Sequence, residues 1–240
     1  MKLGSLFDGS GGFPLAGALN GVEPVWASEI EPFPMRVTAK RFPGMKQLGD
    51  ITKIDGRQIE PVDIITFGSP CQDLSVAGKQ AGIHDGARSS LFFEAIRIIK
   101  EMREATNGKY PRYCVWENVP GAFSSNKGAD FRAVLEAFCE IKGGAVSLPQ
   151  PKKWEHAGVI VGEGYSIAWR LYDAQFWGVP QRRQRCYLIC DLTDGRAGEI
   201  LFEPDSVSGD PTKSREAWER AARYVAGCPD ESGWFRWMTE

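Results

Sequence analysis

Leu3-Gly4-Ser5-Leu6-Phe7-Asp8-Gly9-Ser10-Gly11-Gly12-Phe13 is an apolar run that breaks into a glycine-rich turn and resumes as a helical pattern. A strand hands over to a helix in this way in a βα unit, and the glycines let the backbone turn tightly beneath a bound nucleoside. Alone, the turn is equally well an ordinary glycine-rich connection. Twenty residues beyond Gly9, Glu29 closes a second apolar run, Pro24 to Ser28. An acidic side chain at that place typically accepts hydrogen bonds from ribose hydroxyls. Together the two features favour a nucleoside cofactor.

Outward from this start, apolar runs followed by turn residues and helical patterns recur through the first two thirds of the chain. That recurrence is the mark of βαβ units and a largely parallel sheet. Strands are predicted at 3–7, 24–28, 62–67, 112–117, 167–172 and 185–191, and helices at 33–42, 91–105 and 129–141. The helix at 91–105 carries Phe92, Ile96, Ile99 and Met102 on one stripe, with Arg97, Lys100, Glu101 and Arg103 on other faces. Residues 142–164 hold Gly143-Gly144, Pro149 and Pro151 without a sustained period and read as a surface insertion. Its Lys152-Lys153-Trp154 cluster is either a DNA contact or part of a solvated loop. After Asp191 the alternation stops; Asp210-Pro211 predicts the start of a helix over 211–226. The terminal Trp234, Phe235 and Trp237 either pack back on the domain or dock on a partner.

With 240 residues, 42% hydrophobic and 25% charged, the chain is long enough for one sizeable α/β core. A formal net charge of -2 supplies no global field toward a polyanion, so any nucleic-acid contact must be a local basic patch. The cysteines stand at 71, 114, 139, 186, 190 and 228, without a Cys-x-x-Cys pair, and the histidines are His84 and His156. That pattern argues against a metal site and for reduced thiols in a cytoplasmic compartment. No stretch approaches a membrane span, and no secretory leader is expected.

The chemistry concentrates at strand ends. Phe67-Gly68-Ser69-Pro70-Cys71-Gln72-Asp73 places a cysteine beyond an apolar strand, at the sheet edge where ligands bind, whereas Cys114 sits mid-strand and faces the core. The default for a lone cysteine is structural, but this placement favours a nucleophile. Trp116-Glu117-Asn118-Val119 delivers a carboxyl to the same edge, where desolvation can keep it protonated. Gln181-Arg182-Arg183-Gln184-Arg185 leads into the last predicted strand, and alternation sends Arg183 and Arg185 to one face. A solvated cationic strand start is the plainer alternative. Gly49-Asp50-Ile51 lies where a further loop returns to the crevice, and Asp50 is either an acceptor for an adenine amino group or a plain turn aspartate.

Taken in order, these segments resemble the DNA cytosine-5 methyltransferase family, from Leu3 to Asp191. The resemblance implies an α/β, Rossmann-like methyltransferase fold with a mostly parallel sheet and S-adenosylmethionine as methyl donor. It assigns the donor site to Phe7, Asp8, Gly9, Gly11, Gly12, Phe13, Glu29, Ile30, Asp50, Ile51, Gly68, Pro70 and Leu91, the last within Arg88-Ser89-Ser90-Leu91-Phe92-Phe93. Pro70-Cys71-Gln72 resembles the nucleophile motif, Glu117-Asn118-Val119 the acidic motif, and Gln181 to Arg185 the arginine motif. Cys71, Glu117, Arg183 and Arg185 are thus the implied catalytic residues. Gln72, Ser75, Lys79 and Arg88 are the candidates for contacts to DNA around a flipped-out base.

The implied organisation is a catalytic domain over 1–191, with the insertion at 142–164, followed by a helical extension over 192–240. Neither the target-recognition region nor the terminal motif of the family is expected in that extension. Three readings follow: a fragment, one subunit of a split enzyme whose second polypeptide recognises the target, or a non-catalytic remnant that binds cofactor, DNA or protein. A prokaryotic or phage setting is expected, in restriction protection, phage self-modification or regulation. A Rossmann oxidoreductase is the rival from another class, but it has no use for Cys71 and Glu117.

Overall fold

Short β-branched and apolar runs become strands, and the amphipathic segments between them become the covering helices. The computed structural model describes residues 1–69, 91–178 and 180–202. Cys71, with Pro70, Gln72, Ser75, Lys79 and Arg88, lies outside the described residues, as do the predicted helix over 211–226 and the terminal aromatic residues. The chain divides into two units, the boundary falling after Trp116.

The first unit holds β1 (Lys2–Leu6), α1 (Gly12–Leu19), β2 (Glu23–Ser28), α2 (Pro32–Arg41), β3 (Lys46–Gln47), β4 (Ile64–Phe67), α3 (Leu91–Ala105) and the start of β5 (Tyr113–Asn118). All its strand pairs are parallel: β1 with β2 and β4, β2 with β3, and β4 with β5. Such a sheet is covered on both faces, so its strands are continuous apolar runs. Leu6, Ile65 and Phe67 are accordingly buried. Helix α3 spans the predicted residues and buries Phe92, Ala95, Ile96, Ile98, Ile99 and Met102. Phe92 stacks edge-on to Trp116 with ring centroids 6.1 Å apart.

The second unit begins at Glu117 and contains α4 (Ala129–Cys139), β6 (Ala157–Gly162), β7 (Tyr165–Asp173), β8 (Gln184–Asp191) and α5 (Ala197–Leu201). Here the pairs β6 with β7 and β7 with β8 are antiparallel. The stretch 142–164, expected to be a surface insertion without regular structure, therefore contains a strand. Ala157-Gly-Val-Ile-Val-Gly162 pairs with β7 from Ala157 opposite Arg170 to Gly162 opposite Tyr165. Trp154, considered above for DNA contact, is buried, and its indole N–H donates to the Gly128 carbonyl at 2.8 Å. It stands among Phe131 and Trp169, with centroids 5.3 and 6.2 Å away.

Each unit also contains an indole packed on a glycine so closely that no other residue fits. In the first, Gly4 is the register partner of Trp26, and a Cβ on Gly4 would lie 2.1 Å from the indole Cζ2. In the second, Gly158 is the register partner of Trp169, and its Cβ would lie 2.2 Å from the same ring atom. No described helix is long and apolar enough to cross a membrane.

Candidate active site

In the first unit the glycine loop follows β1 directly. Phe7, Gly9 and Gly11 all have left-handed backbone, with φ of 53°, 56° and 83°. For the glycines this costs little; for Phe7 it is a strained position that the surrounding bonds must hold. They do so from β2: the Asp8 N–H donates to the Ser28 carbonyl at 3.1 Å, and the Gly9 N–H to Glu29 Oε2 at 2.8 Å. Glu29 Oε1 accepts from the Ile30 and Glu31 N–H groups. The carboxylate singled out for the ribose is therefore also the clamp of the glycine loop. Gly12 opens α1, and Phe13 is half-buried in its first turn.

Asp8 stands apart from the other acids of this loop. Its side chain is buried, and both carboxyl oxygens, with the Ser5 hydroxyl, have no hydrogen-bond partner among the described residues. Burial pushes the Asp8 carboxyl up to about 6; the Ser5 hydroxyl, close by but outside hydrogen-bonding geometry, works against the rise, and the Glu29 charge adds to it. Three orphaned acceptors in one place call for a donor from outside the described residues.

The turn carrying Asp50 is tied back to β2 by the Ser28 hydroxyl, which donates to the Gly49 carbonyl at 2.7 Å. Asp50 caps a 3-10 turn, Ile51–Lys53, its Oδ1 accepting from the Thr52 N–H and hydroxyl. Those bonds hold its carboxyl below the usual aspartate range. Ile51 is buried whereas Ile30 is 64% exposed, so of the two only Ile30 presents an open apolar surface. Gly68 follows β4 and Leu91 starts α3, both half-buried. The neighbouring Ser69 hydroxyl accepts from the Trp116 indole N–H at 3.1 Å, which fixes the chain one residue short of Pro70.

In the second unit, Arg185 Nε lies 2.8 Å from Glu117 Oε1, with side chains 21% and 24% exposed. The contact found is thus an ion pair rather than an isolated desolvated carboxyl. Glu117 Oε2 keeps no protein partner among the described residues. Arg185 also donates through Nη1 to the Gln184 carbonyl, which fixes the guanidinium. Arg183 does not join them: its side chain is exposed, and its backbone N–H donates to Asp173 Oδ1 at 3.1 Å. Beneath the pair, burial pushes the Cys186 thiol up, with the Glu117 charge adding. Cys114, Cys139, Cys186 and Cys190 are free and buried, and burial raises Cys114 to about 12. Thiols so shifted are inert at neutral pH.

The sequence places Arg97 on a polar face of the helix at 91–105 without a role in the site. Arg97 donates to the Ile51 and Ile54 carbonyls as well as to Glu94 and Glu101. The signal was there: acids three residues before and four after an arginine on one helix.

The sequence profile of the family described as C-5 cytosine-specific DNA methylase matches residues 1–142 and 159–217. The unmatched gap falls inside the stretch 142–164. The chain is similar to a protein of Escherichia phage P1 named DNA N-6-adenine-methyltransferase, 33% identical over 239 residues, covering 89% of this chain and 31% of that protein. It is also similar to type II methyltransferase M.HhaI of Haemophilus parahaemolyticus, 32% identical over 189 residues, covering 79% of this chain and 48% of that protein. The chain therefore spans less than half the length of these curated relatives. Among solved structures, S. pombe Dnmt2 methyltransferase superposes with a TM-score of 0.53 at 18% identity, covering 97% of this chain and 57% of that one. At that identity the likeness is one of fold.

Proposed function

The chain belongs to the C-5 cytosine-specific DNA methylase family, and from that premise we propose that it transfers a methyl group from S-adenosylmethionine to carbon 5 of cytosine in DNA through a covalent adduct with Cys71. The observation that carries this reading is the Glu117–Arg185 pair. A carboxyl pinned through one oxygen, with no partner on the other among the described residues, is what a pyrimidine N3 requires of a proton donor; a hydride-transfer enzyme has no role for it.

Carbon 5 of cytosine is a poor nucleophile until carbon 6 is attacked. The Cys71 thiolate adds to carbon 6, and the displaced electron pair moves toward N3, which is protonated through Glu117, a carboxylate that takes up that proton from solvent as the base binds. Arg185 holds the carboxyl in the orientation for that delivery. Carbon 5, now part of an enamine, takes the methyl group, and N3 returns its proton to Glu117. Loss of the carbon 5 proton to a base, which is water in this scheme, then expels the thiolate and restores the ring double bond. S-adenosylmethionine, when bound, supplies the electrophilic methyl group. The residues of the first unit fit it: Gly9 and Gly11 give close backbone approach, Glu29 retains acceptor capacity for ribose hydroxyls, and the orphaned Ser5 and Asp8 oxygens suit a ligand bearing an ammonium group. Exposed Arg182 and Arg183 offer phosphate contacts, alongside Gln72, Ser75, Lys79 and Arg88.

Trapping tests the proposal. DNA containing 5-fluorocytosine, incubated with the chain and S-adenosylmethionine, forms an adduct that survives denaturing electrophoresis, because fluorine cannot leave as a proton does. Cys71→Ser abolishes the adduct; equal trapping by the mutant removes Cys71 as nucleophile.

A further inference from the structure

Helix α3 turns a polar face toward residues 51–57 and holds that segment at several points. Arg97 Nη2 donates to the Ile51 carbonyl at 3.1 Å and Nη1 to the Ile54 carbonyl at 2.8 Å. The same guanidinium is braced by Glu94 at 2.7 Å and Glu101 at 2.9 Å, whose side chains are 15% and 14% exposed. Glu101 Oε2 also accepts from the Gly56 N–H at 2.7 Å, and Arg57 reaches Glu104 at 2.6 Å. Gly56 lies so close to α3 that a Cβ would stand 2.5 Å from the Ile98 carbonyl.

This is more anchoring than a connecting segment requires. A surface ion pair contributes little and needs no carbonyl partners. Here the planar fork of one arginine spans the carbonyls at the start of a 3-10 turn and just after it, which fixes the pitch and direction of that turn. The turn starts with Asp50 and Ile51, the residues that the donor-site reading assigns to the adenine ring. Asp50 Oδ1 is consumed by Thr52 and Oδ2 has only the exposed Lys53 ammonium 3.8 Å away, so recognition of a base edge falls to Oδ2 and to the backbone, and both are only as well placed as the turn itself.

We propose that Arg97 is a positioning residue for the donor's adenine ring, acting through the Ile51 and Ile54 carbonyls to aim the Asp50–Ile51 edge at the 6-amino group. The inference rests on the donor-site reading above. Its test is calorimetry of the whole chain with two probes, S-adenosylhomocysteine and S-inosylhomocysteine, which differ at that amino group. The wild type binds the adenosine compound more tightly. Arg97→Met raises its Kd by about tenfold, the scale of one lost charge-assisted hydrogen bond, and lowers the preference between the probes toward parity. Arg97→Lys keeps the charge between Glu94 and Glu101 but lacks the fork. It melts near the wild type and loses the same preference, so it decides the matter if Arg97→Met does not fold. A merely structural role weakens both probes equally. Wild-type preference retained in both variants overturns the inference and leaves the donor site standing; a wild type that binds neither probe overturns both.

Discussion

The first unit is built of parallel strands with helices between them; the second is a run of antiparallel strands joined by short connections. Their polar groups differ in the same sense. Around the glycine loop, backbone N–H groups and carbonyls do most of the work: Glu29 grips Gly9, Ser28 takes the Asp8 N–H, and Arg97 grips two carbonyls. In the second unit the decisive contact is side chain to side chain, Arg185 to Glu117. In the proposed reading, a site that holds a large nucleoside shapes its backbone, whereas one that moves a proton shapes a single carboxyl.

If that division holds, damage to one unit leaves the other's task intact. The largest effect is expected at Glu117→Gln, which should lower the rate of methyl transfer by about 10²–10⁴-fold while leaving the Kd for S-adenosylhomocysteine unchanged. Single-turnover kinetics beside calorimetry would show it, and a parallel loss of donor affinity breaks the comparison. A smaller effect is expected at Asp8, and it is a stability effect. Its folded-state value of about 6 lies above the ordinary 3.8, so its contribution to stability is fully present below 3.8 and is lost as pH rises through 6. Asp8→Asn should therefore be more stable than the wild type at pH 7, by on the order of 2 kcal/mol, and melt higher. The difference should vanish near pH 4; an unchanged melting profile across that window removes the buried charge from the account.

The parallel unit was largely legible in the sequence because its rule is local. Each strand is an apolar run, each turn is marked by glycine or an acid, and α3 matched its predicted span residue for residue. The strand β6 was missed because glycines border it and both of its faces are partly buried, which leaves no alternation to read. The two-residue strand β3 is too short to leave a pattern. Within the site, the sequence pointed to Glu117 with both Arg183 and Arg185, and the fold selects Arg185 for the contact. That choice depends on strand register, which distant pairing sets. Arg97 and its acids were readable on one helix, but not its hold on residues 51–54, because no composition or spacing reveals which carbonyl a side chain will reach.

Gly4 beside Trp26 and Gly158 beside Trp169 are the same solution reached twice, once across a parallel ladder and once across an antiparallel one. In both, an indole lies flat over a neighbour that has no side chain, so the two residues form a single shape divided between two strands. Neither half can drift alone: a methyl group on the glycine evicts the ring, and a smaller ring uncovers bare backbone. Descendants of this chain should therefore lose or keep each glycine and its tryptophan together.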